Sequence, residues 1–490
     1  MTSGNTVANE LAGKRRGWLR PWLLLLLAAY LGMAIYQAFK PLPDGISVAS
    51  PLLPVSDVAF LADVTYLDAA GNRQSEQAIF DEMLRLIGQA KRLVVLDMFL
   101  FNDFAGEANG DYRPLSSQLA RALIDRKAQM PGLEAVVITD PLNTMYGGLT
   151  LEHFTALRAA GVKLITTDLT QLRASNPAWS GVWYWCCQWL GNTTEGGWLD
   201  NPLGPGQVTL RSYLTMVNFK ANHRKTLVVD VDDGWAGMVT SANPHDASSS
   251  HGNVALRFQG PAVAELLESE RAVAHLSGGD IDFDPLQLRG SVVPEGPRMQ
   301  VLTEGNIRDA LVIAVQSAEP GDRIDIATFY LAHRDLIDAL KEAQARDVEI
   351  RVVLDPNKDA FGFEKSGIPN RPVAAELHEA GIPVRWCATN GEQCHAKVLL
   401  KRSLSGDAVL YLGSANFTRR NLDDLNLETS VRLVASKNTP AIADAARWFE
   451  RYWHNPEDQR LSVPYATYAD ESRWRYWQYR LMEATGLSTF

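Results

Sequence analysis

The chain has 490 residues, of which 46% are hydrophobic and 21% charged, and its formal net charge is −10. At about 150 residues per domain, this length suggests roughly two to four domains. Four cysteines without Cys-x-x-Cys spacing exclude a disulfide-dense scaffold and a structural zinc site. The acidic balance disfavours binding of nucleic acid through a general excess of lysine and arginine, and leaves only a local basic groove for that purpose.

An apolar segment near the N-terminus predicts a membrane-spanning helix. Residues 22–39 read WLLLLLAAYLGMAIYQAF, close to the ~20 apolar residues that cross a bilayer. Four basic residues lie within 14–20, whereas only Lys40 follows the segment before Arg73, so the N-terminus is predicted to be cytoplasmic. We therefore predict a single-pass protein of the cell (inner) membrane with an extracytoplasmic, or periplasmic, catalytic part. The small-x-small triplet at 32–34 also fits a cleaved signal peptide, which would leave the catalytic part in the same compartment.

An extracytoplasmic compartment permits disulfide bonds. Cys387 and Cys394 flank the six residues ATNGEQ and are predicted to pair across this loop. The adjacent Cys186 and Cys187 are predicted to be buried thiols or half of a longer bridge.

The chain passes twice through one pattern of elements. Each copy opens with an amphipathic helix and an apolar strand, IFDEMLRLIGQAKR with LVVLDMFLF and then IRDALVIAVQSA with RIDIATFYL. Each copy continues with a helix, a strand that ends in Asp-Pro and a helix ended by glycine, so that Asp140 mirrors Asp355. Helices that alternate with apolar strands predict stacked α/β layers.

This repeat divides the chain into segments. The turn-rich sequence GSVVPEGP at 290–297 marks the seam between the copies. The predicted segments are a cytoplasmic tail at 1–21, the membrane anchor at 22–39, a linker at 40–55, the first repeat at 56–290 and the second repeat at 291–490.

The first copy carries an insertion rich in tryptophan. Asp140 and His223 are 83 positions apart, whereas Asp355 and His395 are 40 apart, and the surplus falls within about 170–215. The insertion holds five of the 13 tryptophans of the chain. Such a segment is typical either of a lid that faces lipid or substrate or of a small hydrophobic core beneath a long loop.

The C-terminal stretch RWRYWQYRLM at 473–482 alternates arginine with aromatic residues. It is predicted to be either an interfacial amphipathic helix on anionic lipid or a helix docked on the core, with arginine stems covering apolar surface.

Each copy also carries a His-x-Lys triplet at the start of an apolar strand, formed by His223 and Lys225 in the first copy and by His395 and Lys397 in the second. Residues i and i+2 of a strand share a face, so each histidine and its lysine project to the same side. A Ser-Ala-Asn triplet follows each at nearly the same distance, which chance rarely duplicates. These triplets contribute Ser241, Asn243, Ser414 and Asn416.

The duplicated set suits the cleavage of a phosphodiester. One neutral imidazole can attack phosphorus to form a phosphohistidine, and a second, protonated imidazole can donate to the leaving oxygen. The lysines, asparagines and serines are predicted to hold the phosphate oxygens. No metal and no other cofactor is predicted, since two neighbouring ammonium groups would repel a metal ion. The alternative is that the histidines belong to the core and the lysines are solvated strand ends.

These motifs resemble the phospholipase D superfamily, whose signature is His-x-Lys-x4-Asp followed by Gly-Ser-x-Asn, present twice per active site. The resemblance spans about 56–455. Asp230 completes the first signature, whereas Arg402 stands at the matching position of the second, and Thr240 replaces the glycine of the first Gly-Ser-x-Asn. The resemblance implies two homologous α/β sandwich halves with pseudo-two-fold symmetry around one site.

The family also places an acid about a dozen residues beyond the asparagine, where it orients the histidine of the opposite copy. Glu428 fits this position, and the first copy offers Asn253 instead. The resemblance thus implies that Glu428 supports His223 as the nucleophile and that His395 is the general acid. Two more histidines in the turn-rich segment NPHDASSSHGN are predicted to be supporting or loop residues, His245 and His251.

Members that look like this chain act on phospholipids, by hydrolysis or by phosphatidyl transfer as in cardiolipin synthases, and others cleave nucleic acids. The anchor and the net charge of −10 favour a phospholipid substrate and the membrane as partner over nucleic acid. The alternatives are an extracytoplasmic single-strand nuclease and a catalytically silent scaffold. The chain departs from typical bacterial cardiolipin synthases by having one predicted span and the Trp-rich insertion.

Overall fold

The architecture is given by a computed structural model. The predicted seam at 290–297 lies almost entirely outside the described residues. At 4–20, 359–360 and 363–364 the description covers the backbone alone. The described ranges are 4–104, 112–232, 234–284, 296–360, 363–488 and 490.

Helices and strands alternate along the chain. The helices are α1 Gly4–Phe39, α2 Ile79–Ile87, α3 Leu115–Gln129, α4 Glu152–Ala159, α5 Pro177–Cys186, α6 Leu210–Met216, α7 Ala262–Leu276, α8 Gly305–Gln316, α9 Arg334–Gln344, α10 Asn370–Glu379, α11 Arg419–Leu422, α12 Pro440–His454 and α13 Arg473–Thr485. The strands are β1 Leu53–Pro54, β2 Ser56–Asp68, β3 Arg73–Glu76, β4 Leu93–Met98, β5 Glu134–Thr139, β6 Lys163–Thr166, β7 Leu199–Asp200, β8 Gln207–Val208, β9 Lys225–Val231, β10 Gly234–Thr240, β11 Asn253–Gln259, β12 Arg298–Thr303, β13 Arg323–Thr328, β14 Glu349–Leu354, β15 Asp359–Ala360, β16 Phe363–Glu364, β17 Val384–Cys387, β18 Lys397–Arg402, β19 Asp407–Gly413, β20 Thr429–Ser436, β21 Gln459–Arg460 and β22 Ser462–Pro464.

Two large mixed sheets confirm the predicted α/β fold. The first sheet contains the order β2-β11-β10-β9-β4-β5-β6, and the second contains β12-β20-β19-β18-β13-β14-β17. In each sheet the strand that follows a His-x-Lys motif, β9 or β18, lies in the middle, between an antiparallel hairpin partner and the first of the parallel strands. Nearly every residue of these two strands is buried, and each strand has an apolar middle, LVV in β9 and VLL in β18.

The side chains of the strands alternate between two apolar layers. In β4, Leu93 and Val95 belong to a central core, whereas Val94 and Leu96 pack outward with α2, α3 and α4. The second sheet packs outward in the same way against α8, α9 and α10. The central core joins residues of both sheets with α7 and α12. The two sheets therefore share one apolar interior.

Short strands also cross between the two sheets. β1 pairs with β12, so the predicted linker at 40–55 contributes to the second sheet. β21, which lies in the chain between β20 and β22 of the second sheet, pairs with β2 of the first. The two sheets are consequently joined by backbone hydrogen bonds as well as by side-chain packing.

The N-terminal helix and the Trp-rich insertion lie together. The part of α1 at Pro21–Phe39 is long and apolar enough to cross a membrane, and only 6% of it is buried. α5, within the insertion, packs on α1. On its inner side, buried Trp183 stacks on Trp179. On its outer side, Trp185 and Trp189 are 54% and 76% exposed.

The C-terminal helix α13 is docked, as one of the two alternatives predicted. Tyr479 is fully buried against the second sheet's helical layer, and its hydroxyl donates to the carbonyl of Ala332 at 3.2 Å. Trp474 and Trp477 remain exposed on the other side.

The cysteines form two disulfides. Cys387 and Cys394 are bonded, as predicted. The prediction for Cys186 and Cys187 was wrong, because these neighbours are bonded to each other at the end of α5. Neither cysteine is buried. Both lie next to Trp185, whose side chain is exposed.

Candidate active site

Each His-x-Lys segment is held by the backbone of the other sheet. The His223 N–H donates to the Leu427 carbonyl at 2.8 Å, just before β20. The His395 N–H donates to the Gly252 carbonyl at 2.7 Å, just before β11. The two histidines therefore lie where the two sheets meet, and their side chains line one cavity of about 370 Å³.

The two lysines are buried beneath this cavity. Lys225 Nζ donates to the carbonyl of His223 at 2.7 Å, and Lys397 Nζ donates to that of His395 at 2.6 Å. Each ammonium group also lies over an aromatic ring. Lys225 Nζ is 5.1 Å from the centroid of the Phe99 ring, and Lys397 Nζ is 5.4 Å from that of the Phe329 ring. Neither lysine is a solvated strand end, so that alternative is excluded for both.

Each histidine has a partner at Nδ1 from the opposite sheet. Glu428, which directly precedes β20, places Oε2 3.0 Å from Nδ1 of His223. Asn253 Oδ1 lies 3.1 Å from Nδ1 of His395, and the carbonyl of Ser241 lies 3.0 Å from the same atom. These acceptors hold the proton on Nδ1, so the lone pair of each neutral imidazole is on Nε2.

The predicted role of the serines as phosphate ligands does not fit their positions. Ser241 and Ser414 are both completely buried. Ser241 Oγ donates to Asn253 Oδ1 at 2.9 Å, and Ser414 Oγ donates to Glu428 Oε2 at 2.5 Å. Both hydroxyls therefore fix the partners of the histidines and leave the cavity to the asparagines.

The asparagines do face the cavity. Asn243 and Asn416 both line it, close to the two histidines. Asn243 is oriented by the N–H of Leu100, which donates to Oδ1 at 3.2 Å. The Oδ1 of Asn416 is buried without a hydrogen-bond partner among the described residues. Such a group is available to a bound ligand.

Burial lowers the charge of the cationic groups in this site. It lowers the pKa of His223 to about 4, although the Glu428 carboxylate opposes the shift. Burial lowers the pKa of Lys225 to about 7, against the same carboxylate. The pKa values of His395 and Lys397 lie well below their usual range, first through burial and then through neighbouring cations. A bound anion would raise all four pKa values, so the cavity favours a negatively charged ligand.

Asp230 lies away from the histidines, at the far end of β9. Its carboxylate accepts hydrogen bonds from the backbone N–H groups of Lys91, Arg92 and Leu93, at 2.9–3.1 Å. A place for Asp230 among the catalytic residues, which its match to the signature implies, therefore does not fit its position, because the length of β9 separates it from the histidines. At the matching position, Arg402 pairs instead with the buried carboxylate of Asp325 on β13.

Two buried carboxylates that the sequence analysis did not select position the histidine segments. Asp140 Oδ2 accepts from the N–H of Asn222 at 2.7 Å, and Asp355 Oδ2 accepts from that of Cys394 at 2.8 Å. Each acceptor thus fixes the residue that precedes a histidine. Burial raises the pKa of both carboxyls to about 7. The signal for these two residues in the sequence was that an Asp-Pro pair recurs at the same place in both copies.

A buried ion pair connects the first motif with the second sheet. Arg224, between His223 and Lys225, is fully buried, and its guanidinium donates to Glu304 Oε1 at 2.9 Å. The same carboxylate oxygen accepts from the backbone N–H of Glu428 at 3.0 Å. The second motif has alanine at this position, so the motif pattern gave no signal for the contact.

The other two histidines differ in position. His251 lines the cavity, with its ring 6.2 Å from that of His395, and burial lowers its pKa to about 3. His245 bonds Ser248 Oγ through Nδ1 at 2.7 Å and faces the carbonyl of Phe104 through Nε2. His245 therefore orders the loop, as a supporting residue.

The rest of the cavity is mainly apolar. The first sheet and its insertion contribute Leu142, Leu203, Met216 and Phe219, and the other side contributes Tyr330 and Phe490. A cavity that combines an anion-binding base with apolar walls suits an amphiphilic phosphodiester.

The comparisons with known proteins agree with this arrangement. Residues 311–453 match the family described as "Cardiolipin synthase, PLD-like domain". Among curated proteins no sequence matches the chain. The fold is similar to that of phosphatidylserine synthase from Haemophilus influenzae Rd KW20, with a TM-score of 0.55 and 10% identity over 94% of this chain and 98% of that one.

A shorter solved structure matches over part of the chain. It is a phospholipase D family member, Nuc from Salmonella typhimurium, with 22% identity and a TM-score of 0.27 over 34% of this chain and 97% of that one. Residues 311–453 of this chain thus match a phospholipase D-like family model, and the fold is shared with a phosphatidylserine synthase over nearly the whole length.

Proposed function

We propose that the chain is a membrane-anchored phosphodiesterase or phosphatidyltransferase that acts on phospholipids through a phosphohistidine intermediate. The observation that supports it is the pair of imidazoles on one anion-favouring cavity, each fixed at Nδ1 by the opposite sheet. The proposed roles are nucleophile for His223 and general acid for His395. Lys225, Lys397, Asn243 and Asn416 would stabilise the charge on the phosphate oxygens.

In the first step, Nε2 of His223 attacks phosphorus while the bond to the leaving alcohol breaks. His395 Nε2 donates its proton to the leaving oxygen. The Glu428 carboxylate accepts a hydrogen bond from the Nδ1–H of His223 and stabilises the positive charge that develops on this ring. His395 has only neutral oxygens at Nδ1, and the bound phosphodiester supplies the negative charge that favours its protonated form.

In the second step, His395, now neutral, accepts a proton from water or from an alcohol. The resulting oxygen nucleophile attacks phosphorus, the P–N bond breaks and His223 is regenerated. Water gives phosphatidic acid, whereas the hydroxyl of a second lipid gives a new phosphodiester. Hydrolysis and transfer therefore share every group in the site and differ only in the acceptor.

The lipid substrate is supported by the apolar walls of the cavity and by the apolar helix α1. The net charge of −10 gives no general attraction for polynucleotides. Two disulfides support an extracytoplasmic location of the catalytic part, with the N-terminus in the cytoplasm.

The substrate is tested with the full-length chain in detergent–lipid micelles. We expect turnover of phosphatidylglycerol to phosphatidic acid or cardiolipin, no cleavage of single-stranded DNA, and no turnover by His223→Ala. Lipid analysis of cells that express the two forms provides the check in membranes. Cleavage of DNA without any change in phosphatidylglycerol, phosphatidic acid or cardiolipin would contradict the lipid assignment and favour the nuclease.

The contribution of Glu428 is tested by Glu428→Gln. We expect kcat to fall by about 10²- to 10⁴-fold, because the amide does not stabilise the charged ring. Glu428 raises the pKa of His223, so its removal lowers this pKa and moves the acidic limb of the kcat/KM profile to lower pH. The measurement is a pH–rate profile for both forms.

A matched control is Glu483→Gln. Glu483 is also largely buried, but its carboxylate accepts from the Arg419 N–H. We expect an unchanged acidic limb in this variant. If Glu428→Gln keeps both the rate and the profile of the wild type, Glu428 has no part in the chemistry.

A further inference from the structure

We propose that the Trp-rich insertion enters the outer leaflet of the same bilayer that α1 spans, so that two elements, and not one, hold the chain in the membrane. The ligand of this surface is the acyl region of the lipid bilayer. The inference rests on the proposed membrane location of α1.

The first argument is the direct contact between α1 and α5. A Cβ placed on Gly181 of α5 would lie 2.9 Å from Cβ of Ala34 and 3.0 Å from the ring of Tyr30, so the two helices approach closely. The Tyr30 hydroxyl donates to the carbonyl of Ala178 at 3.1 Å. The insertion is thus seated on the apolar part of α1 and not on its end.

The position of this contact gives its depth. Tyr30 precedes Phe39, the last residue of α1, by nine positions, which corresponds to about 13 Å along the helix axis. Half of the hydrocarbon region is ~15 Å thick. If α1 crosses the bilayer, α5 therefore lies at the depth of the acyl chains, below the headgroups.

The composition of the insertion fits this depth. No charged residue occurs between Arg173 and Glu195, although this stretch belongs to the extramembrane part of a chain with 21% charged residues. At the start of α5, Asn176 Oδ1 accepts from the Trp179 N–H, and just after its end the carbonyls of Cys187 and Gln188 accept from the Arg211 guanidinium. Within the helix, Ser180 Oγ donates to Asn218 Oδ1 at 2.8 Å. The segment can enter an apolar medium without leaving these groups unpaired.

The exposed side chains of the insertion point to the same medium. Val182 is 42% exposed, and Trp185, Trp189 and Leu190 form the outward side of the same segment. A contiguous apolar surface of this kind is typical of a membrane contact, and indole rings favour the boundary between headgroups and acyl chains.

This placement also brings the cavity close to the lipid. Leu203 belongs to the insertion, Met216 and Phe219 follow directly after it, and all three line the candidate cavity. The segment that enters the leaflet is thus continuous with the cavity wall, and an amphiphilic substrate has an apolar route between the two.

The experiment uses the full-length chain in phosphatidylcholine–phosphatidylglycerol vesicles whose acyl chains carry bromine, which quenches tryptophan emission on contact. Four tryptophans are exposed on α1 and the insertion, namely Trp22, Trp185, Trp189 and Trp198. Trp185→Phe/Trp189→Phe removes two of them, so we expect the lipid-quenched part of the emission to fall by about half. Trp453→Phe is the matched control, since this ring stacks on Phe449 and packs, partly buried, against the central core.

The outcomes separate this inference from the proposed function. An unchanged quenched fraction in Trp185→Phe/Trp189→Phe, with the protein still floating with the vesicles, would place the insertion outside the hydrocarbon and overturn the inference. Failure to float would contradict the membrane location of α1, on which the inference rests. His223→Ala should keep the full quenching, so loss of catalysis alone leaves the membrane contact supported.

Discussion

Replacing His223 with alanine is expected to lower kcat by on the order of 10⁴-fold or more with every substrate. The imidazole is the proposed nucleophile. Without it, the chain has no Nε2 atom at this position that could bond to phosphorus and form the covalent intermediate. Burial keeps this ring neutral, with a pKa of about 4, so the wild-type nucleophile is available across the physiological range. Headgroup release from labelled phosphatidylglycerol provides the measurement.

The intermediate itself gives a second readout. A phosphatidyl group bound to histidine is stable in base and labile in acid, so quenching in base and digestion should locate it on His223. His378→Ala is the matched control, because this ring stacks on Tyr465 at 4.1 Å outside the cavity. A label found on His395 would reverse the two assigned roles, and turnover without any label would contradict the covalent mechanism.

Replacing His395 with alanine is expected to give a loss that depends on the leaving group. With an alkyl leaving group, kcat should fall by about 10²- to 10⁴-fold, because no proton reaches the departing alkoxide. With a p-nitrophenyl phosphodiester the leaving group needs no proton, so the first step should remain close to the wild-type rate. Turnover should then stop at the phosphoenzyme, because His395 is also the base of the second step.

The measurement is a burst of p-nitrophenol in rapid-mixing experiments. We expect one equivalent per chain from His395→Ala and none from His223→Ala. Equal losses for both substrates in His395→Ala would show that this histidine does not protonate the leaving group. A full burst from His223→Ala would assign the nucleophile to the other ring.

Much of the site was predictable from the sequence because strand periodicity and repetition carry information about faces. His223 and Lys225 share a face in any strand, and the repetition of this spacing at His395 predicted a joint site. Whether a side chain on that face reaches the cavity or stays in the interior was not predictable. Ser241 therefore looked like a phosphate ligand, although its hydroxyl is turned into the interior and bonds Asn253.

The errors have the same physical origin. Asp230 belongs to the motif by spacing, but a motif does not state at which end of a strand each residue acts. Cys186 and Cys187 were read as separate groups, whereas the structure bonds them to each other. In the insertion, Trp183 is buried whereas Trp185 and Trp189 are exposed, and composition alone does not assign residues to the inner or the outer side.

The exchange of partners between the sheets has a consequence for control of the reaction. His223 depends on Glu428, and His395 depends on Asn253, so each sheet supplies one reactive ring and the support for the other. Any separation of the sheets removes both supports together. We therefore expect activity to be lost as a whole when the sheets separate, because neither histidine would then keep its partner at Nδ1.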